Sequence, residues 1–121
     1  MAHRYDDSNI FARILRGEIP NRTVHESEHS LAFEDIQPQA PVHVLVIPKG
    51  AYVGLDHFLA AASEAEQLDF NRTVAEVIRL KDLGDGFRAI SNARAHGLQE
   101  VPHYHLHILG GRSLGRMLAE G

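Results

Sequence analysis

The chain has 121 residues, 44% of them hydrophobic and 23% charged, with a formal net charge of −4, a size for one core rather than two. That acidic balance argues against a broad electrostatic grip on duplex nucleic acid, which needs several Lys or Arg groups to neutralise phosphates. With no cysteine there is no disulfide framework and no thiolate metal site, and no apolar run reaches the ~20 residues that cross a bilayer, so a cytoplasmic protein with no membrane and no nucleic-acid partner is expected.

In chain order, a short helix is expected from about Asn9 to Arg16, capped by Ser8 or Asp7 and striped by Ile10, Phe11, Ile14 and Leu15. Gly17 and Pro20 stop it. Thr23-Val24-His25 and Leu31-Ala32-Phe33-Glu34 read as neighbouring strands, and Asp35 to Pro41, with Pro38 and Pro41, as a loop. Val42 to Ile47 is β-branched and apolar except for His43, a buried strand ended by Pro48.

After Lys49-Gly50 the stretch to Ala62 is ambiguous, with room for one helical turn. Ser63-Glu64-Ala65-Glu66 has capping-box spacing and opens a long helix to about Lys81, with Leu68, Val74, Val77, Ile78 and Phe70 expected towards the sheet. Gly84-Asp85-Gly86 turns into a strand over Phe87 to Ser91, Asn92 to Glu100 is a loop beside a site, and His103 to Leu109 is a strand closed by Gly110-Gly111. This element order favours α+β with an antiparallel sheet over a doubly wound one.

Residues two apart on a strand project to one face, so His103, His105 and His107 share a side while Tyr104, Leu106 and Ile108 enter the opposite apolar layer. Imidazole attacks, accepts or donates a proton, or binds a metal near neutral pH. A surface strand also carries such alternation without chemistry, but three imidazoles in one register ending in Gly-Gly-Arg weigh against that. His43 is either a partly buried histidine with a hydrogen-bond partner or a solvent-facing residue at a strand start. Asn92, Gln99 and Glu100 bracket the loop before the histidines: the amides suit a phosphate oxygen or an imidazole, and Glu100 suits a leaving amine or a histidine better than a phosphate. Arg112 either binds an anion or ends the strand at the surface.

Val42-His43-Val44-Leu45-Val46-Ile47-Pro48-Lys49 and Gln99-Glu100-Val101-Pro102-His103-Tyr104-His105-Leu106-His107-Ile108-Leu109-Gly110-Gly111-Arg112 resemble the histidine triad superfamily, and within it the Hint branch of purine nucleoside phosphoramidases in a bacterial form. Ile10-Phe11 through Ile14, Gly17-Glu18-Ile19-Pro20 and Leu31 through Pro41 extend the likeness over nearly the whole chain. The resemblance implies an α+β histidine triad fold: a five-stranded antiparallel sheet with a short N-terminal helix and one long helix, the sheet extended across a homodimer. It implies a single domain over 1–121, with 1–8 and 113–121 as flexible or partner-contacting ends.

The same resemblance assigns His105 as nucleophile, supported by His103, His107 and His43. It places Asp35 at the ribose hydroxyls, Ile10, Phe11, Ile14, Phe33, Ile36 and Leu45 around a purine base, and Asn92 near the phosphate, with Gln99 and Glu100 in the adjoining loop. The implied reaction is hydrolysis of a purine nucleoside phosphoramidate to a nucleoside monophosphate and an amine, with no cofactor and no metal. Dinucleoside polyphosphate hydrolysis, a nucleotide- or partner-binding protein with incidental turnover, and metal binding by the same-face histidines are the alternatives. Two positions depart from the branch: Leu98 stands where Gly or another small residue is usual, so a less open or differently turned loop is expected, and Arg116 stands where proline is common.

Overall fold

The computed structural model describes residues 3–119. Its elements are α1 (Ile10–Leu15), β1 (Thr23–Glu26), β2 (Ser30–Glu34), β3 (Val42–Pro48), α2 (Leu55–Ala61), α3 (Glu64–Leu80), β4 (Phe87–Ile90) and β5 (Leu106–Gly110). The strands form one antiparallel sheet in the order β1-β2-β3-β5-β4. This is the expected α+β architecture, with one helix more than expected.

Strand β3 is central, so its ladder groups are paired on both sides and its side chains are covered on both faces. Val44 and Val46 point to one layer with Ala32 and Ile108, where α2 and α3 bring Phe58, Phe70 and Val77. Leu45 and Ile47 point to the other with Leu31 and Phe33, where α1 brings Phe11 and Ile14. The near-continuous apolar run in the sequence is what burial on two faces requires.

The cap of α1 is Asn9 rather than Ser8 or Asp7; its side chain accepts the Ala12 amide. Helix α3 begins with the expected capping box, Ser63 accepting the Glu66 amide at 3.1 Å and Glu66 accepting the Ser63 amide at 3.1 Å, a device worth about 1 kcal/mol. Its buried positions are Phe70, Thr73 and Val77, with Val74 and Ile78 packed beside the core. Leu68, expected towards the sheet, is exposed, because Asp69 and Phe70 occupy that stripe. Asp69 accepts the Ser27 and Ser30 hydroxyls at 2.6 and 2.8 Å and so fastens α3 to the β1–β2 turn.

The stretch left ambiguous by the sequence forms the two turns of α2. Phe58 anchors it: its ring meets Tyr52, Phe70 and Tyr104 at centroid distances of 5.2, 5.2 and 5.1 Å, contacts worth roughly 0.5–1.5 kcal/mol each beyond burial. Among the described residues no helix is long and apolar enough to cross a membrane.

The histidine strand is shorter than expected, starting at Leu106 rather than His103. Its last partner pair with β3 is Val46 and Leu106. Beyond it stands Pro48, which has no N–H to donate, and β3 ends there. The upstream backbone therefore finds other partners: the Tyr104 amide donates to the Tyr52 carbonyl at 2.7 Å, and the His103 ring reaches the Pro48 carbonyl at 2.8 Å. Tyr104 still enters the core beside Ile108, so the alternation of faces survives outside the ladder.

Candidate active site

The site lies on the sheet face that carries α1, and its residues follow from strand register. Leu31, Phe33 and Asp35 alternate onto that face from β2 and its continuation, as do His43 and Leu45 from β3 and His107 from β5. Leu45 pairs with His107 and His43 with Leu109. His43 and His107 are therefore diagonal neighbours across the ladder, within reach of each other's rings, and their nitrogens, His43 Nε2 and His107 Nδ1, lie 2.9 Å apart.

Hydrogen bonds to the backbone determine which nitrogen of each histidine carries a proton. The Gln39 amide donates to His43 Nδ1 at 3.1 Å, so neutral His43 carries its proton on Nε2 and donates it to His107 Nδ1; the Asp35 carboxylate sits 3.4 Å from the same Nε2. His107 consequently carries its own proton on Nε2. His105 Nδ1 lies 2.7 Å from the His103 carbonyl, which only accepts, so Nδ1 is protonated and Nε2 keeps a free lone pair. No hydrogen bond to His105 Nε2 exists among the described residues. His103 donates Nε2–H to the Pro48 carbonyl and accepts the Tyr5 hydroxyl on Nδ1 at 2.6 Å.

Burial drives the electrostatics. His43, His103 and His105 are buried and His107 is half-buried. Burial pushes the His103 imidazole down to about 4 against the raising effect of the Pro48 carbonyl, with His105 pushing the same way as burial. Burial, then the neighbouring His105 and His43, take His107 to about 4. His105 and His43 are also lowered by burial, opposed for His105 by the His103 carbonyl, Asp35 and Glu100 and for His43 by Asp35. All four rings are neutral at pH 7, the state in which imidazole is a nucleophile.

Two hollows meet at Phe11, Asp35 and Leu45. The polar one, about 210 Å³, is lined by His105 and His107 together with Asn92, Gln99 and Glu100, with Leu98 at its rim. The apolar one, about 310 Å³, is lined by Ile10, Phe11, Ile14, Phe33, Ile36 and Leu45, with Glu100 at its border. Phe11 joins them, its ring edge-on to His105 at 5.0 Å and to Phe33 at 5.6 Å. Ile36 is 85% exposed and covers only the outer edge of the apolar hollow.

Of the four histidines, only His105 and His107 line the polar hollow; His43 and His103 stand behind them. Gln99 also lines it, but its amide is engaged by the loop: Nε2 donates to the Val53 and Val101 carbonyls, and Oε1 accepts the Arg94 amide. Arg112 is exposed and donates to the Ser113 carbonyl. Leu98 has φ of +53° and is 81% exposed, the left-handed conformation that glycine adopts without strain. The loop thus keeps the turn a small residue would make and carries a leucine on it.

Tyr5, the Gln39 amide and the Pro48 carbonyl were not identified as parts of the site from the sequence. The two backbone groups have no sequence signature. Tyr5 had one, an aromatic residue in an otherwise polar run. Asp35, His43 and His107 are also the one group among the described residues whose ligand-type atoms lie within 4.8 Å of one another. Two of those atoms already form the His43–His107 hydrogen bond, which a cation would have to displace.

The HIT domain family matches residues 16–114. Similar chains include an uncharacterized 13.2 kDa HIT-like protein of Azospirillum brasilense, 55% identical with 100% of each chain covered, and a purine nucleoside phosphoramidase of Escherichia coli K12, 42% identical with 93% of this chain and 95% of the relative covered. A histidine triad protein from Clostridium difficile has a similar structure, with a TM-score of 0.80 and 35% identity over 93% of this chain and 98% of that one. With an antiparallel five-stranded sheet that sets one imidazole nitrogen free above a split hollow, the histidine arrangement is consistent with nucleotidyl-histidine chemistry, and the match over most of the length shows that the chain belongs to the HIT family.

Proposed function

We propose that the protein hydrolyses purine nucleoside phosphoramidates to a nucleoside monophosphate and an amine. The observation that carries this reading is the free Nε2 of His105, held towards the polar hollow by the His103 carbonyl. The base occupies the apolar hollow over Phe11, Phe33 and Leu45, and Asp35 accepts the ribose hydroxyls at the junction. This sets the α-phosphorus over His105.

His105 Nε2 attacks phosphorus, the P–N bond breaks and the nitrogen takes a proton from solvent at the open hollow as the amine leaves, giving a nucleotidyl-histidine whose positive ring is stabilised through Nδ1–H by the His103 carbonyl. Water then attacks phosphorus and restores neutral His105. The hydroxyl of that water stays on phosphorus and its other proton passes to solvent, replacing the one the amine took. The donor on His107 Nε2 and the Asn92 amide face the nonbridging oxygens, where charge grows in both transition states. Glu100, exposed at the rim, faces the departing amine in this reading.

Turnover of adenosine and guanosine phosphoramidates, measured beside a diadenosine polyphosphate in chelator-treated protein, tests the reading. Phosphoramidates should be preferred by about a hundredfold in kcat/KM, and calorimetry should show AMP or GMP binding to the same protein. Equal or reversed preference, or no binding at millimolar nucleotide, would sink it.

The protein acts in this reading as a homodimer. Strand β4 lies at the sheet edge, where unpaired ladder groups invite a second strand. Phe87 on β4 and Leu68 and Leu80 on α3 are 45%, 52% and 45% exposed, apolar surface that a second copy covers. Sedimentation at micromolar concentration should give twice the chain mass of 13.4 kDa; a stable monomer there counts against the assembly.

A further inference from the structure

Tyr5 precedes α1 by one turn of chain, and its ring lies edge-on to that of His103, with centroids 5.6 Å apart. Its hydroxyl is 2.6 Å from His103 Nδ1. His103 is wholly buried and carries two functions on one residue. Its ring is held at both nitrogens, by Tyr5 on one side and the Pro48 carbonyl on the other. Its carbonyl accepts Nδ1–H of His105. A ring fixed at both ends holds the χ angles of His103, and with them the peptide whose oxygen orients the next imidazole.

The Tyr5 hydroxyl also completes the tautomer that the Pro48 carbonyl, which only accepts, sets by taking Nε2–H. While it donates to Nδ1, the His103 proton must be on Nε2, where the Pro48 carbonyl needs it. Without the hydroxyl, Nδ1 becomes a buried acceptor with no partner, and the ring, tethered at Nε2 alone, is free to turn about that bond. Phe11 packs edge-on to both His103 and His105, at 6.3 and 5.0 Å, so rotation of the first ring is transmitted to the second.

We infer that Tyr5 is a positioning residue for the reaction: its hydroxyl locks the His103 imidazole, and the His103 carbonyl in turn aims His105. The inference rests on the reading of His105 as nucleophile. Tyr5 lies in the segment 1–8 that the sequence suggests as a flexible or partner-contacting end, of which residues 1–2 lie outside the described residues, and its hydroxyl reaches the buried His103 ring.

Tyr5→Phe keeps the ring and removes only the hydroxyl. The expected result is a kcat about tenfold lower with KM, and Kd for AMP, changed less than twofold, because the base and ribose contacts are untouched. In long-range ¹H–¹⁵N spectra of the imidazoles, the His103 Nδ1 signal should shift as it loses its hydrogen bond, with Nε2–H retained, and the His105 signals should move. Unchanged kcat, or a kcat and KM that worsen together with the His103 and His105 signals unmoved, would overturn the inference. If the unaltered protein turns over no phosphoramidate, the proposed reaction fails on its own account; the spectra then decide, with a shifted His103 and His105 supporting the positioning link and unmoved signals rejecting it.

Discussion

Replacing His105 with alanine is expected to lower phosphoramidate turnover by about 10⁴-fold or more, because a methyl group cannot form the nucleotidyl intermediate and both chemical steps pass through it. The fold should survive. The imidazole sits between the His103 carbonyl and the edge of Phe11, at the floor of the polar hollow rather than in either apolar layer. AMP binding should persist, since the base and ribose contacts come from Phe11, Phe33, Leu45 and Asp35. His107→Ala removes a donor to the nonbridging oxygens and should cost about 10²-fold, the scale of one lost transition-state hydrogen bond. Near-native turnover by a folded His105→Ala protein would refute the nucleophile assignment. Loss of AMP binding equal to the loss of turnover would instead make His105 a ligand contact.

The second large effect is on stability in mild acid. His103 titrates at about 4 in the folded protein because burial disfavours its charged form, whereas an unfolded chain holds histidine near 6.5. Between these values the unfolded chain binds the proton first, so acid favours unfolding. The contribution is complete above about pH 6.5 and drains as pH falls to 4, by which point about 3 kcal/mol has been lost for His103. His107 follows the same direction for the same first cause, with a smaller contribution because its ring borders the open hollow. Asp69 and Glu66 are held below their ordinary values by hydrogen bonds that outweigh burial, so their losses come below the ordinary carboxylate range, in a separate window. Urea midpoints should be flat from pH 8 to 7 and fall steadily from 6.5 to 4.5. A midpoint unchanged down to pH 4.5 would mean that His103 is not held neutral.

Both results depend on where backbone groups sit, which bears on how much of the molecule is legible in its residues. The capping box at Ser63, the strand from Val42 and the order of helix and strand are local matters: one hydroxyl and one carboxylate within a turn, or six residues of alternating projection. These follow from short-range sterics and hydrogen bonding and need no partner to specify them. The shared face of His103, His105 and His107 is equally local, a consequence of the two-residue period of extended backbone.

Other features needed the folded chain. Helix α2 has seven residues and no side-chain cap, too short to be stable alone; it exists because Phe58 finds Tyr52, Phe70 and Tyr104, three rings from three other segments. The histidine strand begins at Leu106 because its neighbour ends at Pro48, a limit set by a strand some sixty positions earlier. Leu68 fits the apolar stripe of α3 by spacing, yet Asp69 takes the turn nearest the β1–β2 hairpin through Ser27 and Ser30. The histidine identities were plain in the chain. Their proton positions were decided by the Gln39 amide and the Pro48 and His103 carbonyls, because a tautomer is chosen by whichever obligate donor or acceptor the fold brings to each ring nitrogen.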